Sequence, residues 1–241
     1  MDTAVCQRTA TVRFWDGYAP WYRQWIEHSS YHDPIIALLA ETVEAGCKVL
    51  DIGAASGVLA LPLAQMGCEV TALEPSVGMR SLFFEELYRQ RLDDIDVDDR
   101  RWEDVPTHHV MHYDLIISCN TLHLTTLGFN GALQKIFDAN PANVLVATEH
   151  VPGTVMRFSS RSHTMRFART YDTDGSFAYH HIDEVFQHHR FKKGRALSSE
   201  EELSLRQRLT LRGGHLWIPD SARVGMYWFQ RRSPDAPCSR Q

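Results

Sequence analysis

Two patterns alternate through the middle of the chain. Short apolar runs occur at CKVLDIG (47–53), CEVTALEP (68–75), residues 95–101, YDLIISCN (113–120) and NVLVATEH (143–150). Runs of this length, bounded by turn residues, read as strands. The run after Asp114 is continuous enough for a strand buried on both faces. Between the runs lie stretches with helical spacing. VLALPLAQMG (58–67) ends in a glycine stop, residues 78–92 carry Met79, Leu82, Phe83, Glu86 and Leu87 on one face, and residues 129–139 supply a third helix. Five strands joined in this way predict βαβ units on a parallel sheet.

The flanks are less regular. RFWDGYAPWYRQWIEH (13–28) is too rich in large apolar side chains to be left in water. It reads either as a static flap on the sheet or as a lid over a ligand, ahead of a helix over 34–45. Residues 151–197 show no long strand. A helix over 199–211 is predicted to start with a capping box of Ser199 and Glu202 and to stop at Gly213 and Gly214. HLWIPD (215–220) and VGMYWFQR (224–231) then read as a closing antiparallel pair.

Composition narrows the class. The 241 residues carry a net charge of -5, which lacks the basic bias of a nucleic-acid binder. No apolar run is long enough to span a membrane, and no secretory leader is recognisable. The five cysteines are scattered without a CxxC pair, which argues against a disulfide framework or a structural zinc site. A cytoplasmic protein with no nucleic-acid or membrane partner is expected. The histidine clusters, such as HHVMH (108–112), lack a zinc-ligand spacing, so no metal is expected. LDDIDVDD (92–99) lacks the glycine and closing glutamate of a calcium loop.

The segment that carries chemistry is VLDIGAASGVLALPLA (49–64), a strand, a small-residue turn and a helix start. Gly53 and Gly57 permit unusual dihedrals and close approach of a ligand, with Ala54 and Ala55 keeping the turn small. Free backbone N–H groups at the helix start would meet that ligand. Glu74 closes the next strand, 21 residues beyond Gly53, where an acid can accept both hydroxyls of a ribose.

This segment resembles motif I of the class I S-adenosylmethionine-dependent methyltransferases. Asp51, Gly53 and Gly57 match the family pattern, while Ala55 stands where its middle glycine would be. ALEPS (72–76), with Glu74 and Pro75, resembles the second motif. WEDVP (102–106) resembles the stretch bordering the adenine, although Arg101 stands where the family often has an aspartate. CNTLHL (119–124) resembles the segment after strand 4 of small-molecule methyltransferases. The resemblance covers roughly residues 13–150.

It implies an α/β, Rossmann-like sheet of seven mostly parallel strands with helices on both faces. It also implies S-adenosyl-L-methionine as cofactor and methyl transfer to a small molecule. Residues 1–45 would form lid and helix, 46–150 the cofactor core, 151–197 an acceptor-side insertion, and 198–232 the closing helix and strands. Asp51, Gly53, Ala54, Ala55, Gly57, Glu74, Pro75, Trp102, Glu103 and Asn120 are the expected cofactor residues, with Tyr18 and Tyr22 closing over the methionine end. His123 and His150, at strand ends, are candidate bases or orienting groups. Arg161 and Arg166 lie in an acid-free basic stretch that would suit an acidic acceptor. Two alternatives stay open: a non-catalytic adenosyl-binding or scaffold protein, and an NAD-dependent oxidoreductase. GAASGV argues against the latter because it does not supply G-x-G-x-x-G.

Overall fold

A computed structural model describes residues 11–149 and 160–233. Helices α1 (Val12–Ile26) and α2 (Asp33–Thr42) precede the alternating core. The core runs β1 (Lys48–Ile52), α3 (Ala60–Gln65), β2 (Glu69–Leu73), α4 (Val77–Gln90), β3 (Ile95–Asp98), β4 (Leu115–Cys119), α5 (Gly128–Asp138) and β5 (Asn143–Thr148). Beyond residue 160 come β6 (His163–Asp174), β7 (Phe177–Tyr179), α6 (Ile182–Lys193), α7 (Ser199–Arg208), β8 (Thr210–Arg212), β9 (His215–Ile218) and β10 (Ser221–Arg231).

Seven strands form the main sheet in the order β3-β2-β1-β4-β5-β10-β6. The first five are parallel, and β10 is antiparallel to both β5 and β6. Both faces are covered, so alternate residues of one strand enter different cores. Val49, Leu115, Ile117 and Leu145 pack on the α2 and α3 side. Leu50, Ile52, Ile116 and Val144 pack against α5. The strand order reverses between β1 and β4, and a crevice opens there at the strands' carboxyl ends, where ligands of such sheets bind.

The carboxyl-terminal third departs from expectation. Residues 163–174 form the long edge strand β6, so the stretch after β5 completes the main sheet as well as extending from it. HLWIPD does not pair with the last strand: β9 joins β7 and β8 in a separate three-stranded sheet. That sheet, α6 and α7 share a small core of Phe177, Tyr179, Val185, Phe186, Leu205 and Ile218. The capping box of α7 uses Ser198 and Glu201, one residue earlier than expected. The helix ends at Arg208, and Gly213 and Gly214, both at positive φ, make the β8–β9 turn.

The aromatic N-terminal stretch is helix α1. It lies between α4 and the small sheet. Asp16 accepts from the Ser76 hydroxyl at 2.8 Å and from the Gly78 amide at 3.2 Å. Ala19 packs on Met79 and Leu82, and Trp21 and Trp25 pack against the small core.

Candidate functional site

A cavity of about 580 Å³ lies at the carboxyl ends of β1, β2 and β4, roofed by α1 and walled on its far side by the small sheet and α6. Its volume suits a compact organic ligand. Asp51, Gly53, Ala54, Ala55, Glu74, Pro75, Trp102, Glu103 and Asn120 all line it, as do Tyr18 and Tyr22 from α1. The turn after β1 and the end of β2 are joined directly: Glu74 accepts from the Ala55 amide at 2.9 Å and from the Ser76 amide at 2.8 Å. One bond falls on each carboxylate oxygen, so acceptor capacity remains on both.

Asp51 is only 2% exposed, and its Oδ2 has no hydrogen-bond partner among the described residues. Burial, with the neighbouring Glu74 charge, pushes its carboxyl up to about 8. A buried acceptor left in this state asks for a donor or a cation from a ligand. Burial also raises Glu74, opposed by its two amide bonds and by Arg80.

The glycines of the turn serve packing as much as ligand approach. Gly53 sits at φ +74°, and a Cβ there would lie 2.2 Å from Oγ1 of Thr121. Gly57 does not line the cavity; at φ +84°, it lies against the ring of Phe83. Ala55 adopts φ +51°, so the residue replacing the family's middle glycine holds a left-handed conformation that L side chains disfavour.

Trp102 is buried, its Nε1–H spent on the carbonyl of Ala132 at 3.2 Å and its own carbonyl accepting from Lys135 at 2.6 Å. What it offers the cavity is ring surface. Glu103 accepts from the amide and hydroxyl of Thr126, at 3.1 and 3.0 Å. Past β4, Asn120 at φ +52° accepts from the Glu149 amide at 2.8 Å and donates to the Tyr31 hydroxyl at 2.6 Å. Tyr31 and Glu149 both reach the cavity.

Three further expected site residues lie away from the cavity. His123 sits in a short 3₁₀ turn (Leu122–Leu124) and does not line the cavity, although Thr121 and Leu124 on either side do. Arg161 lies beside Asn140 and Ser162 at the opposite end of the sheet, since Asn140 precedes β5. Arg166 is exposed where the β6–β10 register shifts. Neither arginine lines the cavity: Arg166 is on the edge strand β6, and Arg161 precedes that strand. His150 lies outside the described residues. Among the described residues no cluster of metal-ligating side chains occurs.

Sequence reasoning missed His188. It is 2% exposed, with Nδ1 2.7 Å from the Tyr179 hydroxyl and Nε2 3.2 Å from the Tyr18 hydroxyl. Burial, with Lys192 and His189 adding to it, holds its pKa down at about 2. It is a neutral bridge between the roof helix and the small sheet. Thirteen histidines in the sequence gave no signal that this one is buried.

Residues 49–140 match a family profile described as a methyltransferase domain. Solved structures share the fold. A Bacillus halodurans protein proposed as a methyltransferase aligns with TM-score 0.56 at 8% identity, over 82% of this chain and 99% of its own. A Pyrococcus horikoshii protein proposed as an RNA methyltransferase gives 0.54 at 14%, over 86% and 89%. Coclaurine N-methyltransferase, bound to N-methylheliamine and S-adenosylhomocysteine, gives 0.50 at 15%, over 82% and 71%. No curated protein sequence matches the chain.

Fold and matched segment define a methyltransferase. The matched stretch, residues 49–140, resembles a methyltransferase domain and holds Asp51, the Gly53–Gly57 turn and Glu74.

Proposed function

We propose that this enzyme binds S-adenosylmethionine across β1, β2 and β4 and transfers its methyl group to a small molecule held under α1. The observation that carries the reading is the pairing of Asp51 and Glu74 on one cavity. The buried, unpartnered Oδ2 of Asp51 suits the ammonium group of the donor, and the spare lone pairs of Glu74 suit its ribose hydroxyls. S-adenosylmethionine, once bound, supplies an already activated methyl group. The protein's task is then alignment and exclusion of water.

Residues of this chain support both. Trp15, Tyr18, Tyr22 and Trp25 of α1 roof the cavity, and Asp16 fastens the helix at the start of α4. Asn120 fixes Tyr31 and Glu149 at the ends of β4 and β5, where an acceptor would meet the donor. A neutral His188 orients the Tyr18 hydroxyl without carrying charge into the cavity. The roof favours a compact acceptor over a polymer, and the net charge of -5 disfavours a polyanion.

Titration calorimetry with S-adenosylmethionine, S-adenosylhomocysteine and NAD tests the donor. Binding of the two adenosyl ligands supports it; NAD binding alone overturns it. A labelled-methyl screen against fractionated cell extract tests the acceptor, and label recovered mainly on RNA, DNA or protein defeats the small-molecule reading.

A further inference from the structure

The far wall of the cavity carries a different charge from the donor end. His189 and Lys192 of α6 and Arg208 at the end of α7 all line it, beside the apolar surfaces of Phe177, Ile218 and Ala222. Three nearby cations have carboxylate partners: Arg190 pairs with Glu202 at 2.7 Å, and Lys193 and Arg195 pair with Glu201 at 2.5 and 2.7 Å. Among the described residues neither Lys192 nor Arg208 has a carboxylate within ion-pair distance. Arg208 makes one long contact, 3.5 Å to the carbonyl of Pro219. Asp220 lines the same wall, and its field reaches Lys192, where the charge of Arg208 opposes it. Burial, with Lys192, Arg208 and Lys193, holds the His189 pKa down at about 4, so its ring is a neutral hydrogen-bonding group. Two exposed cations outside ion-pair distance of the one carboxylate on this concave, partly apolar wall leave it net positive, which suits an anion attached to an apolar body.

We propose that Lys192 and Arg208 bind an anionic group, a carboxylate or a phosphate, on the methyl acceptor, whose apolar body rests against Phe177, Ile218 and Ala222. The acceptor is thus a compact organic acid or phosphate monoester. This deepens the methyltransferase reading and rests on it. It moves the acidic handle expected at Arg161 and Arg166 to two cations that the fold brings to the cavity.

The test uses the full chain saturated with S-adenosylhomocysteine and a panel of matched small molecules: aromatic and aliphatic monocarboxylates, their primary amides, and the corresponding phosphate monoesters. Quenching of tryptophan fluorescence reports occupancy, because Trp15 and Trp25 line the same cavity. Acids or phosphate monoesters should bind about ten- to a hundredfold more tightly than the amides, the worth of a charge-assisted contact. Comparison of the two anionic sets tells which group the site prefers. The Lys192→Gln/Arg208→Gln variant should lose the preference while its affinity for S-adenosylhomocysteine stays the same. The Lys192→Arg/Arg208→Lys variant should keep it. The proposal is overturned if no anion binds, if amides bind as well as acids, or if the glutamine variant keeps the preference. It is also overturned if that variant loses S-adenosylhomocysteine in equal measure, for the cations would then hold the donor's own carboxylate. Failure of S-adenosylhomocysteine to bind the unaltered protein is a separate result, and it counts against the methyltransferase reading.

Discussion

The amide of Ala55 donates to Oε2 of Glu74 at 2.9 Å, so the turn after β1 is fastened to the end of β2 by the same carboxylate that faces the cavity. Replacing Glu74 therefore removes a ligand contact and an anchor of the turn together. Glu74→Ala should weaken S-adenosylhomocysteine binding about ten- to a hundredfold. It should also lower the melting temperature by several degrees, at about 2–4 °C per kcal/mol for a chain of this size. Calorimetry and thermal unfolding on one preparation read both. A folded variant with unchanged affinity would remove Glu74 from the donor site.

Gly53 makes a sharper case. Its φ of +74° disfavours any L side chain, and its Cβ would fall on Thr121. Gly53→Ala should cost about 2 kcal/mol or more, since strain and steric overlap add. Thr121→Ala in the same chain removes Oγ1 and Cγ2, the atoms at 2.2 and 2.4 Å, but leaves Cβ at 2.8 Å. Partial recovery of stability in the double variant is expected, and strict additivity in denaturant unfolding would show that Thr121 is not the obstacle.

Asp51 predicts a pH dependence. Its folded pKa of about 8 lies above the ordinary aspartate value. The stability it contributes is full below about pH 4 and is lost as pH rises toward 8, because the folded state holds a proton that the unfolded chain has released. Ligand binding has the opposite sense. A cationic donor favours the carboxylate, so affinity should rise with pH from 6 toward 8, at most about tenfold per pH unit, with a proton released on binding. Calorimetry in buffers of different ionisation enthalpy measures that proton. Asp51→Asn should abolish the release; a flat affinity in the unaltered protein would mean that Asp51 does not meet the cation.

The sheet core and donor turn were legible because burial on both faces forces continuous apolar runs, and the turn forces small residues at fixed spacing. Edge strand β6 was not. In HTMRFARTYDTD only His163 is buried, so water satisfies most of its side chains and no apolar alternation is required. Helix α6 was missed for a related reason: Val185, Phe186 and His188 are its only buried residues. The arginines of 157–169 gave a composition signal with no direction attached. Arg161 and Arg166 face away from the cavity, while Lys192 and Arg208, unremarkable in sequence, reach it. Replacing both Arg161 and Arg166 with Gln should accordingly leave the KM for the acceptor unchanged, and a raised KM in steady-state kinetics would put β6 back at the site.

The roof helix yields the last prediction. A static flap and a lid share the same packing but differ in what holds them. Asp16 ties α1 to α4 through Ser76 and Gly78, a side chain meeting a helix start, where a carboxylate is favoured. On the other side, the Tyr18 hydroxyl meets His188. If ligand contacts complete the closure, residues 12–26 should gain hydrogen-exchange protection when S-adenosylhomocysteine binds. Asp16→Ala should speed exchange in that helix without ligand, by up to about a hundredfold for loss of a charge-assisted contact. Ligand should restore much of the protection, since Tyr18 and Tyr22 line the cavity from α1. Equal protection with and without ligand in the unaltered protein would identify α1 as a fixed part of the wall.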